Sequence, residues 1–300
     1  MVRHSVLSSV TLTVPCIAPV ATAYCDWLGY HTTAEGRVTD GLAESWDAPA
    51  TIGSRWVELR AAAETQCVLR LVERPAYAGF APLLHHGWNA NEILCTDPID
   101  LAERFSQPES PFRVIGAPQA LDSNPRIVAL QALGPAGELN YFTRLPPEGG
   151  SLIKTPARTP VDRSFIVVLG GPDLEQMQAF YRDTLGLTVS PRFGSVVAVL
   201  NAAHDLPPDT RTPLSLVALS SSYALELDEY PASATPRPCR PGDLPPGIAM
   251  VGLSATALTG ATLPWRTPPA LRAGDDPHAG LYAGLMVGAA AERIEVTASD

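Results

Sequence analysis

No stretch of this sequence approaches the roughly 18 uninterrupted apolar residues that a membrane span requires. Clusters of lysine and arginine are missing as well, and the formal charge is −10 with a pI near 5.1. That balance argues against nucleic acid or an anionic membrane surface as the main partner, because both demand pooled positive charge. Cysteine is sparse: Cys16, Cys25, Cys67, Cys95 and Cys239 are odd in number, scattered and never spaced C-x-x-C. Neither a disulfide framework nor a zinc knuckle is implied, and a reducing cytoplasm is the simpler setting. No G-x-S-x-G elbow occurs, which argues against a serine hydrolase. Gly149-Gly150 and Gly170-Gly171 lack the spacing of a dinucleotide or phosphate loop and read as turns. Arg3 and the apolar residues after it imitate a secretory leader. However, Ser9, Thr11 and Thr13 alternate with Val10, Leu12 and Val14, the period of a half-buried strand.

What is present is enough for a real core. Three hundred residues, 46% hydrophobic and 17% charged, make one large or two ordinary domains. Many of the 30 prolines collect at 145–160 and 231–246. Both stretches read as connectors, since proline disfavours helix and cannot donate to a sheet ladder. The first divides the chain into residues 1–145, a linker at 146–160, and residues 161–300.

The halves repeat each other. AYCDWLGY (23–30) matches FYRDTLGL (180–187) at Tyr24/Tyr181, Asp26/Asp183, Leu28/Leu185 and Gly29/Gly186, an offset of 157. GPAGELNYFT (134–143) matches GAAAERIEVT (288–297) at Gly134/Gly288, Ala136/Ala290, Glu138/Glu292 and Thr143/Thr297, an offset of 154. Two matches at nearly one offset indicate duplication.

Each half opens with a strand and a helix. Val20, Ala23, Tyr24, Trp27 and Leu28 fall on one helical stripe, and Gly29 stands where a left-handed cap is wanted. In the second half Asp173 and Gln176 make a capping box, and Leu174, Met177, Phe180, Tyr181 and Leu185 form the stripe before Gly186. Short β-like runs follow: WVELR and CVLRLVE, then VVAVL, LSLVAL and YALELDE. A second unit begins at NANEILCT (89–96) and a fourth at GIAMVGLSA (247–255). The helix of the fourth is poorly written and is expected to be short or absent.

A strand, a helix ending FYRDTLGL and three strands ending in a run such as ALELDEY or RIEVTA resemble the vicinal-oxygen-chelate superfamily of glyoxalases, bleomycin-resistance proteins and extradiol dioxygenases. The resemblance covers nearly the whole chain. It implies an α+β fold of four βαβββ modules paired into two similar domains, each with a cleft formed by curved mixed sheets. Four modules look most like the extradiol enzymes, with residues 1–145 as one pair and 161–300 as the other. That family holds iron or manganese through a His on the first strand of each C-terminal module and a Glu on the last strand. Here those positions fall near Ser164 or Ile166, near Met250, and at Glu295. The N-terminal counterparts fall near Ser9, Arg70, Ala90 and Tyr141. The histidine ligands are therefore not found, and no metal ligand is assigned.

The remaining candidates come from strand alternation. In ALEL and RIEV the carboxylates of Glu226 and Glu295 oppose Leu225, Leu227, Ile294 and Val296. If the apolar residues face a helix, both carboxylates face a cleft and form a general acid and base. In that reading Glu295→Gln removes activity with little loss of stability; the competing reading is solvated strand-end charge. His204 and His278 stand in comparable Asp- and Pro-containing loops, and His204 joins the catalytic set. Ser164, Ile166, Met250, Glu92 and Tyr141 are the expected substrate contacts. His85 and His86 are adjacent and cannot easily share one ion.

Three functions remain in play. The first is an enzyme acting on a small oxygenated, possibly aromatic-derived substrate with an altered or absent metal site, by isomerase, lyase or hydrolase chemistry. The second is a non-catalytic small-molecule binding or resistance protein. The third is a metal-dependent ring-cleaving dioxygenase. The expected partner is a small molecule rather than nucleic acid or membrane, with self-association left open.

Overall fold

The computed structural model describes residues 6–150, 152–256, 263–274 and 276–299. Four successive modules carry the elements. The first contains β1 (Val6–Val14), α1 (Ile17–Leu28), β2 (Tyr30–Arg37), α2 (Asp40–Ser45), β3 (Arg55–Ala61) and β4 (Val68–Glu73). The second contains β5 (Gly87–Cys95), α3 (Pro98–Phe105), β6 (Arg113–Ala120), β7 (Val128–Leu133) and β8 (Leu139–Arg144). The third contains β9 (Val161–Gly171), α4 (Leu174–Ala179), β10 (Thr188–Val189), β11 (Phe193–Val196), α5 (Ala198–Ala203), β12 (Arg211–Ala218) and β13 (Ala224–Glu229). The fourth contains β14 (Gly247–Ser254), β15 (Trp265–Leu271), β16 (Tyr282–Val287) and β17 (Arg293–Ala298). The expected weak fourth helix falls across 257–262, outside the described residues. Among the described residues no helix is long and apolar enough to cross a membrane.

The helices start and stop where their sequence dictates. Asp97 accepts from the amides of Ile99 and Asp100 at the start of α3, and Asp173 accepts from that of Gln176 at the start of α4. Gly29 and Gly186 take φ of 71° and 75°, a left-handed geometry that only glycine adopts freely. A π-helical turn, 180–184, carries α4 into Gly186. One expected strand is partly helix: in VVAVL, β11 ends at Val196 and α5 begins at Ala198. The alanines of AVLNAA favour helix, and Val199 and Leu200 bury its inner face.

The strands assemble into two large mixed sheets. One runs β15-β16-β17-β14-β1-β4-β3-β2, and the other β10-β12-β13-β9-β5-β8-β7-β6. The first module thus shares its sheet with the fourth, through antiparallel β1 and β14, and the second with the third, through antiparallel β5 and β9. This overturns the expected grouping of modules within residues 1–145 and within 161–300. Modules one and two, and modules three and four, meet back to back through helices instead, so the edge of each first strand stays open for the other half of the chain.

The repeated residues mark that back-to-back joint. Tyr24 on α1 donates to Glu138 Oε1 in the second module, and Tyr181 donates to Glu292 Oε1 in the fourth, both at 2.9 Å. Each carboxylate also accepts from a turn amide, Ala136 or Ala290. A side chain at Gly134 or Gly288 would collide with it. The duplicated motif is therefore a buried tyrosine–glutamate latch between adjacent modules.

Two outcomes follow from this arrangement. A fragment of residues 1–145 alone leaves the β1 and β5 edges unpaired, and size-exclusion chromatography should find it self-associated rather than monomeric. Burial pushes Glu138 and Glu292 up to about 7. Their folded values lie above the unfolded value of 4.5, so the stability they contribute is complete below that pH and is lost as pH rises through about 7. Thermal melts should therefore show a falling midpoint over that window.

Candidate functional site

Alternation along the last strand of each module decides what faces each cleft. Leu225 and Leu227 pack with Leu174, Met177 and Tyr181 of the helical layer, as do Ile294 and Val296, so Glu226 and Glu295 project from the opposite, concave faces. Because their modules belong to different sheets, however, the two glutamates lie in separate clefts and cannot act as one acid–base pair.

In the cleft of modules one and four, Arg70 takes the centre. Its guanidinium donates to Glu58 Oε1 at 2.9 and 3.1 Å, to Glu295 Oε2 at 3.1 Å and to Thr11 at 3.4 Å. Trp46, just beyond α2, donates to Glu295 Oε1 at 2.8 Å. His278 Nε2 lies 2.7 Å from Glu295 Oε2 and 3.1 Å from Arg70 Nη2. One ring nitrogen cannot donate and accept together, so a protonated Nε2 bonds Glu295 and a bare one accepts from Arg70. Burial alone would raise the Glu295 pKa, but His278 and Arg70 outweigh it and hold the group far below the ordinary range. Burial likewise opposes the Arg70 charge, and Glu295 and Glu58 reverse the effect. The cleft is closed: Arg70 and Glu295 are 1% exposed, and Thr11, Trp46 and Met250 are 0%. Glu295 is thus a pinned carboxylate, held by Arg70, His278 and Trp46.

The cleft of modules two and three has the opposite character. Glu92, Tyr141 and Ile166 lie abreast on β5, β8 and β9, with Glu226 and Asp228 on β13 beyond them. Thr143 donates to Glu92 Oε1 at 2.5 Å. Asp228 Oδ1 and the Tyr230 hydroxyl have no partner. Burial, reinforced by Glu226, pushes Glu92 up to about 8. Glu226 is raised by burial and by Asp228, with which it shares a hydrogen bond, and burial lifts Asp228 to about 7. Here α5 takes the covering place that α2 holds over the other cleft, and it packs the aliphatic Val199 and Leu200 on that cleft's apolar cluster, while its buried Asn201 donates to the Pro208 and Thr210 carbonyls. The floor is nearly closed: Glu92 and Ile166 are 8% exposed, Tyr141 is 7% and Asp228 is 2%, and Glu226 is half-buried.

Similarity to known proteins is confined to structure. No protein-family model and no curated protein matches the sequence. Glyoxalase I from Zea mays superposes with a TM-score of 0.66 at 14% identity, covering 98% of this chain and 92% of that one. A candidate dioxygenase from Bacillus subtilis subsp. subtilis str. 168 gives 0.60 at 11% identity, covering 98% and 84%. The chain has the vicinal-oxygen-chelate fold.

That fold implies a divalent metal in a cleft, and the side chains present do not fit one. In the first cleft the ligand-bearing strand positions hold Thr11, Arg70, Met250 and Glu295, and the guanidinium already supplies the central positive charge. In the second they hold Glu92, Tyr141, Ile166 and Glu226, without a histidine. Among the described residues no three His, Cys, Asp or Glu side chains come together in a way that could hold an ion.

The expected site residues divide accordingly. Glu92, Tyr141, Ile166 and Glu226 gather in the vicinal-oxygen-chelate cleft of modules two and three. Met250 and Glu295 belong to the sealed one. Ser164 lies in neither, because bulges around Ile93 turn its hydroxyl toward Tyr30. His204 follows α5 at the rim, tied to Ser233 and to the Leu83 carbonyl. His85 is bound to Thr235 and the Gly79 carbonyl. Sequence reasoning missed Asp228, although alternation two residues past Glu226 in ALELDE would have found it. It also missed Trp46 and Glu58, whose roles depend on cross-strand register and on a covering helix.

Removing the Arg70 guanidinium strands two buried carboxylates. Arg70→Met should destabilise the fold by about 3–5 kcal/mol, the usual cost of breaking a buried ion network, and chemical denaturation measures it.

Proposed function

We propose that this chain is an acid–base enzyme on the vicinal-oxygen-chelate fold, working without a metal in the cleft of modules two and three. The carrying observation is that cleft's set of three carboxyl groups with separated proton affinities on one concave face, with Glu226 half-buried. Near neutral pH, Asp228 is partly ionised while Glu92 is mostly protonated, which supplies a base and an acid side by side. Asp228, with its free Oδ1, takes a proton from carbon or oxygen of the substrate. Glu92 returns one to a substrate oxygen, and Glu226 holds the shared proton that keeps Asp228 oriented. The phenols of Tyr141 and Tyr230, whose pKa values burial raises, stay protonated and serve as donors to that oxygen. This chemistry suits a small oxygenated substrate, including one derived from an aromatic ring, and supports isomerisation, elimination or hydrolysis. A binding or resistance role uses the same donors without turnover, and the enclosed apolar walls, Ala90, Val168 and Val199, favour it as the second reading.

Protein purified without chelators and then assayed with and without them, against small enols, hydroxy-ketones and lactones, separates these readings. Turnover that survives chelation is the expected result. Tight binding with no turnover selects the second reading, and stoichiometric iron or manganese restores the dioxygenase. Glu92→Gln and Glu226→Gln should lower kcat/KM by roughly 100- to 10,000-fold with unchanged melting. The wild-type profile should be a narrow bell, its limbs set by site values of about 7 and about 8.

A further inference from the structure

Outside both clefts, where the starts of β5, β14 and β17 meet, lies a groove of about 540 Å³. Trp88, Ile248 and Val287 contribute its apolar lining, and Arg237, Arg293 and Arg266 bring guanidinium groups to it. The volume lies within the usual range of small-molecule sites.

Arg237, whose guanidinium lies over the Phe80 ring at 5.1 Å, pairs with no carboxylate among the described residues. Its Nε donates to the His86 carbonyl at 3.0 Å, Nη1 to those of Pro246 and Ile248 at 3.0 and 2.7 Å, and Nη2 to that of Trp88. All four acceptors are neutral backbone oxygens, which fix the group without cancelling its charge. Burial accordingly lowers its pKa to about 10. Arg293 is held the same way, by the carbonyls of Trp46 at 2.7 Å and Asp243 at 3.2 Å. Neighbouring acids are already engaged: the Asp243 carboxylate pairs with Arg74, Asp47 with Arg266, and Glu292 with Tyr181 and the Ala290 amide. A chain of net charge −10 therefore keeps beside one hollow two backbone-anchored guanidiniums that form no ion pair among the described residues, with Asp47 and Asp243 near enough to Arg293 to favour its charge.

We infer that this groove binds a small organic oxyanion, a carboxylate on a compact apolar body. The unassigned N–H groups of Arg293 and Arg237 receive the oxygens, and the Trp88 wall receives the body. Guanidinium forks match carboxylate oxygens in geometry and charge, and anchoring by carbonyls removes most of the ordering cost of binding. The inference is independent of the acid–base reading, since no residue of that cleft lines this groove.

Cys239 also lines the groove and is exposed, whereas Cys16 is exposed elsewhere, so one thiol reports the site and the other serves as control. The probes are benzoate and benzyl alcohol, which share a ring but not a charge, read by calorimetry and by iodoacetamide labelling followed by peptide mapping. Benzoate should bind saturably and protect Cys239 but not Cys16. Its affinity should fall at least ten-fold in Arg293→Gln and weaken with added salt. Should Arg293→Gln fail to fold, Arg266→Gln at the exposed mouth should show the same direction of effect. Equal binding of benzyl alcohol, or benzoate that neither binds nor protects Cys239, overturns the assignment.

Discussion

The antiparallel contact between first strands, β1 with β14 and β5 with β9, is the constraint on which the rest of the molecule depends. Each contact joins a module from one half of the chain to a module from the other, and each creates one concave face. The cleft of modules one and four exists only once the chain has closed on itself, whereas that of modules two and three needs only residues 87–229. The tyrosine–glutamate latches act on the opposite side of the same design, holding module one against two and module three against four, back to back, so that their strand edges are presented outward.

Within that frame the two clefts are near copies with opposite electrostatics. In one, a guanidinium sits between two carboxylates and a histidine, and a tryptophan indole closes over them. Every charge there has an opposite neighbour, so burial is tolerated and the arrangement is rigid. In the other, three carboxyl groups share a face with hydroxyls and no cation, and burial is tolerated only by retaining protons. Stored protons are what acid–base chemistry draws on, whereas a closed ion network has nothing left to exchange. The covering helices reinforce the contrast: the turn after α2 inserts Trp46 onto Glu295, while α5 packs the aliphatic Val199 and Leu200 on the apolar cluster of the other cleft.

Periodicity alone was enough to read the modules. The Tyr24/Tyr181 and Glu138/Glu292 matches, the glycine caps at Gly29 and Gly186, and the outward alternation of Glu226 and Glu295 are local facts, set by the 3.6- and 2-residue repeats of helix and strand. They determined the fold class, the repeat and the faces on which carboxylates stand. Tertiary structure decided which modules pair, because two open strand edges of equal quality are indistinguishable in a linear sequence. It also decided that Arg70 meets Glu295 across 225 positions, that Ser164 is turned away by a bulge, and that Asp228 completes an acidic cleft while Glu295 completes a neutral one. Proton affinity is a property of surroundings: the same glutamate side chain is raised at position 226 and depressed at 295 because one has only acids for neighbours and the other has an arginine and a histidine.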